Sequence, residues 1–234
     1  MAKMVGLSRN IKLPWLNKTY ELMQQSLEYE DLKNQINEYL SFEITSSINI
    51  RKTREILLHI LYYENPTSEK IRKEGLELLA KYPEDRTAIY WTLVLSVYPV
   101  FKDITFIIGK LAEFQDEFTL VQVKQKMYDE WGERSAIYHS TDKIFATMKA
   151  MGTLESTKGE YKILYHDVKQ AEISNFMLYT IMNIEDSAYR STEELNHIYS
   201  FFPFRYKITR EQLLQNDNFT LSTFGNEIAI GIRK

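Results

Sequence analysis

"RSAIYHSTDKIFATMKAMGTLESTKGEYKIL", Arg134–Leu164, decides the fold. Its first half carries Ile137, Ile144, Phe145, Met148 and Met151 at helical spacing, which predicts a helix with one apolar stripe that breaks at Gly152. Two short strand patterns follow, "TLES" and "EYKIL", joined by the turn residues Thr157, Lys158 and Gly159. Immediately upstream, "DITFIIGKLAEFQ" and "EFTLVQVKQKMYDEW" read as two more helices, the second opening with Thr119 as its N-cap. Gly132 makes the connection to the third helix tight. Three helices, a short second-to-third turn and a terminal hairpin are the order of a winged helix-turn-helix.

Outward from this unit the apolar spacing stays helical. Leu16 to Leu40 predicts two short helices broken near Tyr29 and Glu30, and "SFEITSSIN" connects them to a third helix in "RKTREILLHILYYE", stopped by Pro66. "SEKIRKEGLELLAKY" opens with a Ser cap and closes at Pro83. "AIYWTLVLSVYPVF", Ala88–Phe101, is apolar nearly all round and interrupted by Pro99, which predicts a buried core helix. Beyond the hairpin, "AEISNFMLYTIMNI", "STEELNHIYSFF" and "TREQLLQN", capped by Thr209, read as helices. "FTLSTFGNEIAIGIRK" reads as two strands around Gly225-Asn226. The fold class expected is therefore mainly α: a helical N-terminal half over 1–102, a winged helix-turn-helix over 103–166, and a small C-terminal α+β piece with a terminal hairpin over 167–234.

Composition narrows the chemistry. A chain of 234 residues with 44% apolar residues has ample material for a packed core, and 8 Gly and 5 Pro leave little room for long linkers. The absence of cysteine excludes disulfides, Cys-ligated zinc, iron–sulfur clusters and thiol nucleophiles, and fits a reducing, cytoplasmic setting. "MAKMVGLSRNIKLPW" lacks the apolar run of a signal peptide, and no window reaches the length of a membrane span. No Gly-rich phosphate loop, HExxH or nucleophile elbow is present, and His59, His139, His166 and His197 stand singly without metal-ligand spacing. The chain reads as non-enzymatic, and no cofactor or metal is expected.

Nucleic acid is the ligand class the helix and hairpin suggest. With the apolar stripe turned inward, Arg134, Ser135, Tyr138, His139, Thr141, Asp142 and Lys143 are the residues expected to reach a groove, with Thr157, Lys158 and Lys162 added from the wing. Ser, Thr, Arg and His donate to phosphates and purine edges. The net charge of −3 gives no global attraction, and Ile104 to Tyr165 holds eight Lys and Arg against nine Asp and Glu, so phosphate contacts must come partly from elsewhere. Three clusters offer them: Lys3, Arg9, Lys12 and Lys18 in the first 18 residues; Arg51, Lys52 and Arg54 at a helix start, where cations face the positive end of the dipole unless an anion is near; and Arg205, Lys207 and Arg210. A solvated face or pairing with nearby acids is the alternative for each.

The runs "YWTLVLSVYPVFKDITFIIGKL" (Tyr90–Leu111), "FTLVQVKQKMYDEWGERSAIYHSTDKIFATMKAMGTLE" (Phe118–Glu155) and "FFPF" (Phe201–Phe204) resemble the BrxA family of bacteriophage-exclusion (BREX) systems, over about Leu13 to Ile230. The resemblance implies a small, mostly helical protein with winged-helix character that binds double-stranded DNA beside the other proteins of a phage-defence operon. It carries no catalytic motif across. The function expected is that of a non-enzymatic DNA-binding accessory protein of phage defence, with no membrane association. The alternatives are a protein–protein adaptor without DNA contact and a regulator of its own operon.

Overall fold

The structure is a computed structural model that describes residues 6–64, 68–187, 189–224 and 227–233. Lys3, Pro66 and the Gly225-Asn226 turn lie outside the described residues. The chain is mainly helical. Its N-terminal elements are α1 (Leu13–Met23), α2 (Tyr29–Ser41), α3 (Ser47–Leu61), α4 (Glu69–Lys81), α5 (Arg86–Val97) and α6 (Pro99–Ala112). The middle of the chain continues through β1 (Glu117–Thr119), α7 (Leu120–Trp131), α8 (Ser135–Ala150), β2 (Leu154–Thr157) and β3 (Glu160–Ile163). The remainder holds β4 (His166–Asp167), α9 (Ala171–Ile184), β5 (Tyr189–Arg190), α10 (Thr192–Asn196), β6 (Phe204–Arg205), α11 (Arg210–Leu214), β7 (Phe219–Phe224) and β8 (Glu227–Ile232).

Buried apolar side chains form one continuous cluster from Leu7 to Ile230. Its centre is α5 against α9, two largely apolar helices buried on every side: Ala88 to Leu95 are all buried, as are Ile173 to Met182. A helix without a polar face must be enclosed by its neighbours, and here α4, α6 and α9 enclose α5. Trp91 is fully buried, donates its Nε1–H to the Ser200 carbonyl at 3.0 Å and meets Phe101, Phe202 and Phe204 edge-on at 4.9 to 5.5 Å. No single described helix is long and apolar enough to cross a membrane; the segments Pro83–Val97 and Pro99–Ala112, apolar enough together, meet at 119°.

Several boundaries differ from the sequence expectation, each for a local reason. Pro99 does not end a helix but opens α6, where its missing N–H and fixed φ suit the first position. The helix expected from Arg51 begins four residues earlier, at Ser47, because the Ser46 hydroxyl accepts the Asn49 N–H. Ser68 precedes α4 without a side-chain cap. "STEELNHIYSFF" does not run as one helix: α10 stops at Asn196, whose side chain donates to the Thr192 and Ile208 carbonyls, and a separate 3-10 turn forms at Tyr199–Phe201. Thr119 and Thr209 cap α7 and α11 as expected, each completed by a glutamine three residues on.

The region from α6 to β3 contains a strand the sequence reading did not include. β1 ends on the Thr119 cap itself and pairs antiparallel with β3, which also pairs with β2, so the sheet order is β1-β3-β2. Phe118 and Tyr161 lie opposite each other in this sheet, and both rings meet Phe145 of α8. The aromatic contact seats the sheet on the third helix.

Candidate nucleic-acid interface

The α7–α8 corner sets the direction in which α8 points. Gly132, at φ +78°, supplies a turn that a side chain would strain, and α8 starts three residues later. Ile137, Ile144, Phe145, Met148 and Met151 all face the core. Burying each contributes on the order of 1.5–3 kcal/mol, enough to hold the helix in one rotation about its axis. What remains outward on the first two turns is Ser135, Ala136, Tyr138 and His139, all exposed, with Lys143 half-buried one turn on.

Two of the expected groove residues are engaged elsewhere. Thr141 is fully buried and donates its hydroxyl to the Ile137 carbonyl at 2.8 Å. Asp142 pairs at 2.6 Å with Lys124 of α7, whose ammonium also lies 3.3 Å from the centre of the Tyr138 ring. Tyr138 therefore stands over a fixed cation and is held in one orientation. Arg134 occupies the N-cap position of α8, with its guanidinium 5.7 Å from the centre of the Trp131 ring, and Trp131 donates to Asp103 at 2.9 Å. Lys149, absent from the sequence reading, donates to the Ser156 hydroxyl at 2.7 Å and ties the end of α8 to β2.

The hairpin presents two opposed features. Lys158 is exposed at its tip with φ +53°, a left-handed conformation that a lysine adopts at a cost, beside Gly159 at +88°. Lys162, by contrast, is not a free cation. It lies directly across from Glu117 on one side and Glu155 on the other, and its ammonium is 2.6 Å from the Glu117 carboxylate. That hydrogen bond raises the Lys162 pKa, and another to Glu117 holds Glu160 above the usual carboxylate range. Three carboxylates thus surround one ammonium on the outward sheet face, and the expectation that Lys162 is available to a phosphate is corrected by its neighbours.

The N-terminal cations divide in the same way. Arg54 is 8% exposed, with its guanidinium on the Glu55 carboxylate at 2.6 and 3.0 Å and on the Asn37 side-chain oxygen at 3.0 Å. Burial alone would raise the Glu55 pKa, but hydrogen bonds from Tyr63 and Arg54 hold it below its ordinary value, so this pair is an internal bond. Because α3 begins at Ser47, Arg51 and Lys52 sit in its second turn, outside the reach of the terminal dipole, and the helix-start argument for them does not apply. Both are exposed.

One connection was not legible in the sequence. Arg9 donates from Nε and Nη2 to the Asn49 side chain of α3 at 3.2 and 2.9 Å, and two residues later the Ile11 N–H donates to Thr147 Oγ1 of α8 at 3.0 Å. Thr147 in turn donates to the Lys143 carbonyl. The segment Arg9–Ile11 therefore bridges the first turn of α3, one turn before Lys52, to the turn of α8 that carries Lys143. Lys12 continues the segment but is engaged by Glu43, whose carboxyl is held below its ordinary pKa by Lys12 and by the Trp15 N–H.

Compared with protein-family models, curated proteins and solved structures, the chain finds no match in any of the three. Among the described residues no group of three or more His, Asp or Glu is placed to hold a metal ion.

Proposed function

We propose that the protein is a non-enzymatic DNA-binding accessory protein of a phage-defence system of the BREX type, acting in the cytoplasm beside other defence proteins. The observation that carries the DNA-binding reading is the unit from α6 to β3. Its order, helix, strand, two helices at a glycine corner, then a hairpin that takes the first strand onto its outer edge, supports reading it as a winged helix-turn-helix. In that reading α8 enters the major groove of a duplex. Ser135, Tyr138 and His139 meet base edges, while Lys143, Lys158, Arg9, Arg51 and Lys52 meet phosphates on either side. The Arg9–Ile11 bridge supports grouping the N-terminal cations with α8. The defence context rests on the resemblance of Tyr90–Leu111, Phe118–Glu155 and Phe201–Phe204 to the BrxA family.

Fluorescence anisotropy with a labelled duplex tests the reading. Engagement of about five phosphates predicts that affinity falls roughly 500-fold between 50 and 200 mM salt. Lys143→Glu combined with Lys158→Glu is expected to abolish binding at the higher salt. Absence of binding at 50 mM, or equal binding by wild type and the double variant, overturns it. A second reading, an adaptor between proteins of the defence complex, is favoured by the carboxylates around Lys162, which repel a phosphate backbone; it predicts co-purification with a larger partner and no salt-dependent duplex binding.

A further inference from the structure

A trough runs along α6 on the side formed with residues 196–206, and the DNA-binding reading makes no use of it. It comprises a hollow of about 270 Å³ and one of about 420 Å³ that share His197, Ile198 and Tyr199 as a common wall. The close approach that forms it is set by Gly109, where an added Cβ would lie 2.2 Å from the Tyr199 carbonyl oxygen. Aromatic rings make much of the lining. Phe106 and Tyr199 meet edge-on at 5.4 Å, and Tyr165 at the far rim is 51% exposed. Phe106 also lines a third hollow that reaches Phe114, 86% exposed.

Three further observations define what the trough accepts. First, its carboxylates exceed its cations. Glu113 lines the smaller hollow, and Glu185, Glu193 and Glu194 line the larger against the single cation Arg190, which is already paired with Glu185. No ion pair among the described residues takes up Glu113 or Glu193; one oxygen of Glu113 accepts the Tyr199 hydroxyl at 2.8 Å, which fixes the carboxylate at the wall of the hollow. Second, Ser200 lines the larger hollow at 1% exposure, and its hydroxyl has no hydrogen-bond partner among the described residues. A buried hydroxyl without a partner costs free energy that a ligand N–H recovers. Third, rings of the trough already hold cations of the chain: the Arg205 guanidinium lies 4.2 Å from the centre of Tyr165 and the Lys110 ammonium 5.5 Å from that of Phe106, which leaves Tyr199 as the ring for an incoming cation and Phe106 for an apolar contact.

We infer that this trough docks a segment of a protein partner that inserts an arginine or lysine side chain between the aromatic rings and the Glu113 and Glu193 carboxylates, with a neighbouring apolar side chain against Phe106 and Phe114. Ring faces attract a desolvated cation, carboxylates complete its charge, and a fork of N–H donors matches both a carboxylate and the Ser200 hydroxyl. The carboxylates of the two hollows against Arg190 alone disfavour an acidic segment there, and the exposed Phe114, in a hollow whose Lys110 and Lys126 balance Asp129 and Glu130, gives the apolar flank its contact. The inference stands apart from the DNA reading, since the trough contains none of the residues assigned to the duplex.

The test uses the full chain and two labelled heptapeptides, Gly-Leu-Arg-Leu-Leu-Arg-Gly and the same peptide with citrulline for both arginines. Citrulline keeps the shape and removes the charge. The arginine peptide is expected to bind at least about ten-fold more tightly, and Glu113→Gln with Glu193→Gln to remove that preference while leaving duplex binding in place. Equal affinity for the two peptides, a preference that survives in the double variant, or no binding of either at millimolar concentration overturns the inference. Loss of duplex binding in wild type with peptide discrimination intact leaves the inference standing and removes the DNA reading.

Discussion

The ammonium of Lys124, on α7, lies 2.6 Å from the carboxylate of Asp142, on α8. Lys124 is only 7% exposed, so this ion pair joins the two helices of the corner from within and, through the Tyr138 ring above it, reaches the surface. Removing one partner leaves the other charge partly desolvated. Between the small value of an exposed pair and the several kcal/mol of a fully buried one, Lys124→Ala is expected to cost about 2 kcal/mol in urea unfolding. An unchanged urea midpoint refutes the structural role given to the pair.

Lys158 separates stability from binding. A lysine at φ +53° is a poorer turn residue than asparagine, which enters the left-handed region readily. Lys158→Asn is therefore expected to leave the melting temperature equal or raised by a few degrees while weakening duplex affinity by about three-fold, as loss of one phosphate contact would. Unaltered affinity would remove the hairpin tip from the interface.

Gly109 and Gly75 are both buried helix glycines with different neighbours. A Cβ at Gly109 meets the Tyr199 backbone at 2.2 Å, whereas at Gly75 it meets the end of the Leu93 side chain at 2.7 Å. Backbone does not swing aside; a leucine methyl does. Gly109→Ala is expected to cost at least about 1–3 kcal/mol, and Gly75→Ala to cost less, because Leu93 shifts and alanine is the better helix former by about 1 kcal/mol. Equal losses in calorimetry would contradict the close approach at Tyr199.

Glu74 carries a pH signature. Burial raises its pKa above the ordinary carboxylate value, opposed by Lys70 and assisted by Glu77. A folded-state pKa that is raised for an acid means that ionisation destabilises the fold. The penalty is absent below the unfolded value near 4.5, grows as pH rises from there, and is complete above the raised folded value. Glu74→Gln is thus expected to unfold at a higher temperature than wild type at pH 7 and at the same temperature at pH 3.5, as thermal melts at the two pH values would show. A stabilisation that persists at pH 3.5 would point to another cause.

Much of the unit around α8 was legible because its signals are local. The apolar stripe of α8, the Thr119 cap, the glycine at 132 and the Lys158-Gly159 turn each act within a few residues, and each appears where the spacing placed it. β1 was not legible: three residues that end on a helix cap carry no periodicity, and only pairing with β3, more than forty positions away, makes them a strand. The same limit applies to the site. Ser135, Tyr138 and His139 face outward as the stripe required, but the state of each cation depended on distant partners: Arg54 on Asn37 and Glu55, Lys162 on Glu117, Lys124 on Asp142.

The amino-acid order by itself determined the helical character, the inward face of α8 and the positions of the turns, because helical period, capping and backbone conformational preference are short-range properties. Only the tertiary structure decided which charges are free and which are spent, because an ion pair is made by whichever residues the folded chain brings within a few ångströms. It alone placed the Arg9–Ile11 segment between α3 and α8, through a hydrogen bond spanning 136 positions, and opened a trough beside α6 from residues nearly a hundred positions apart in the chain.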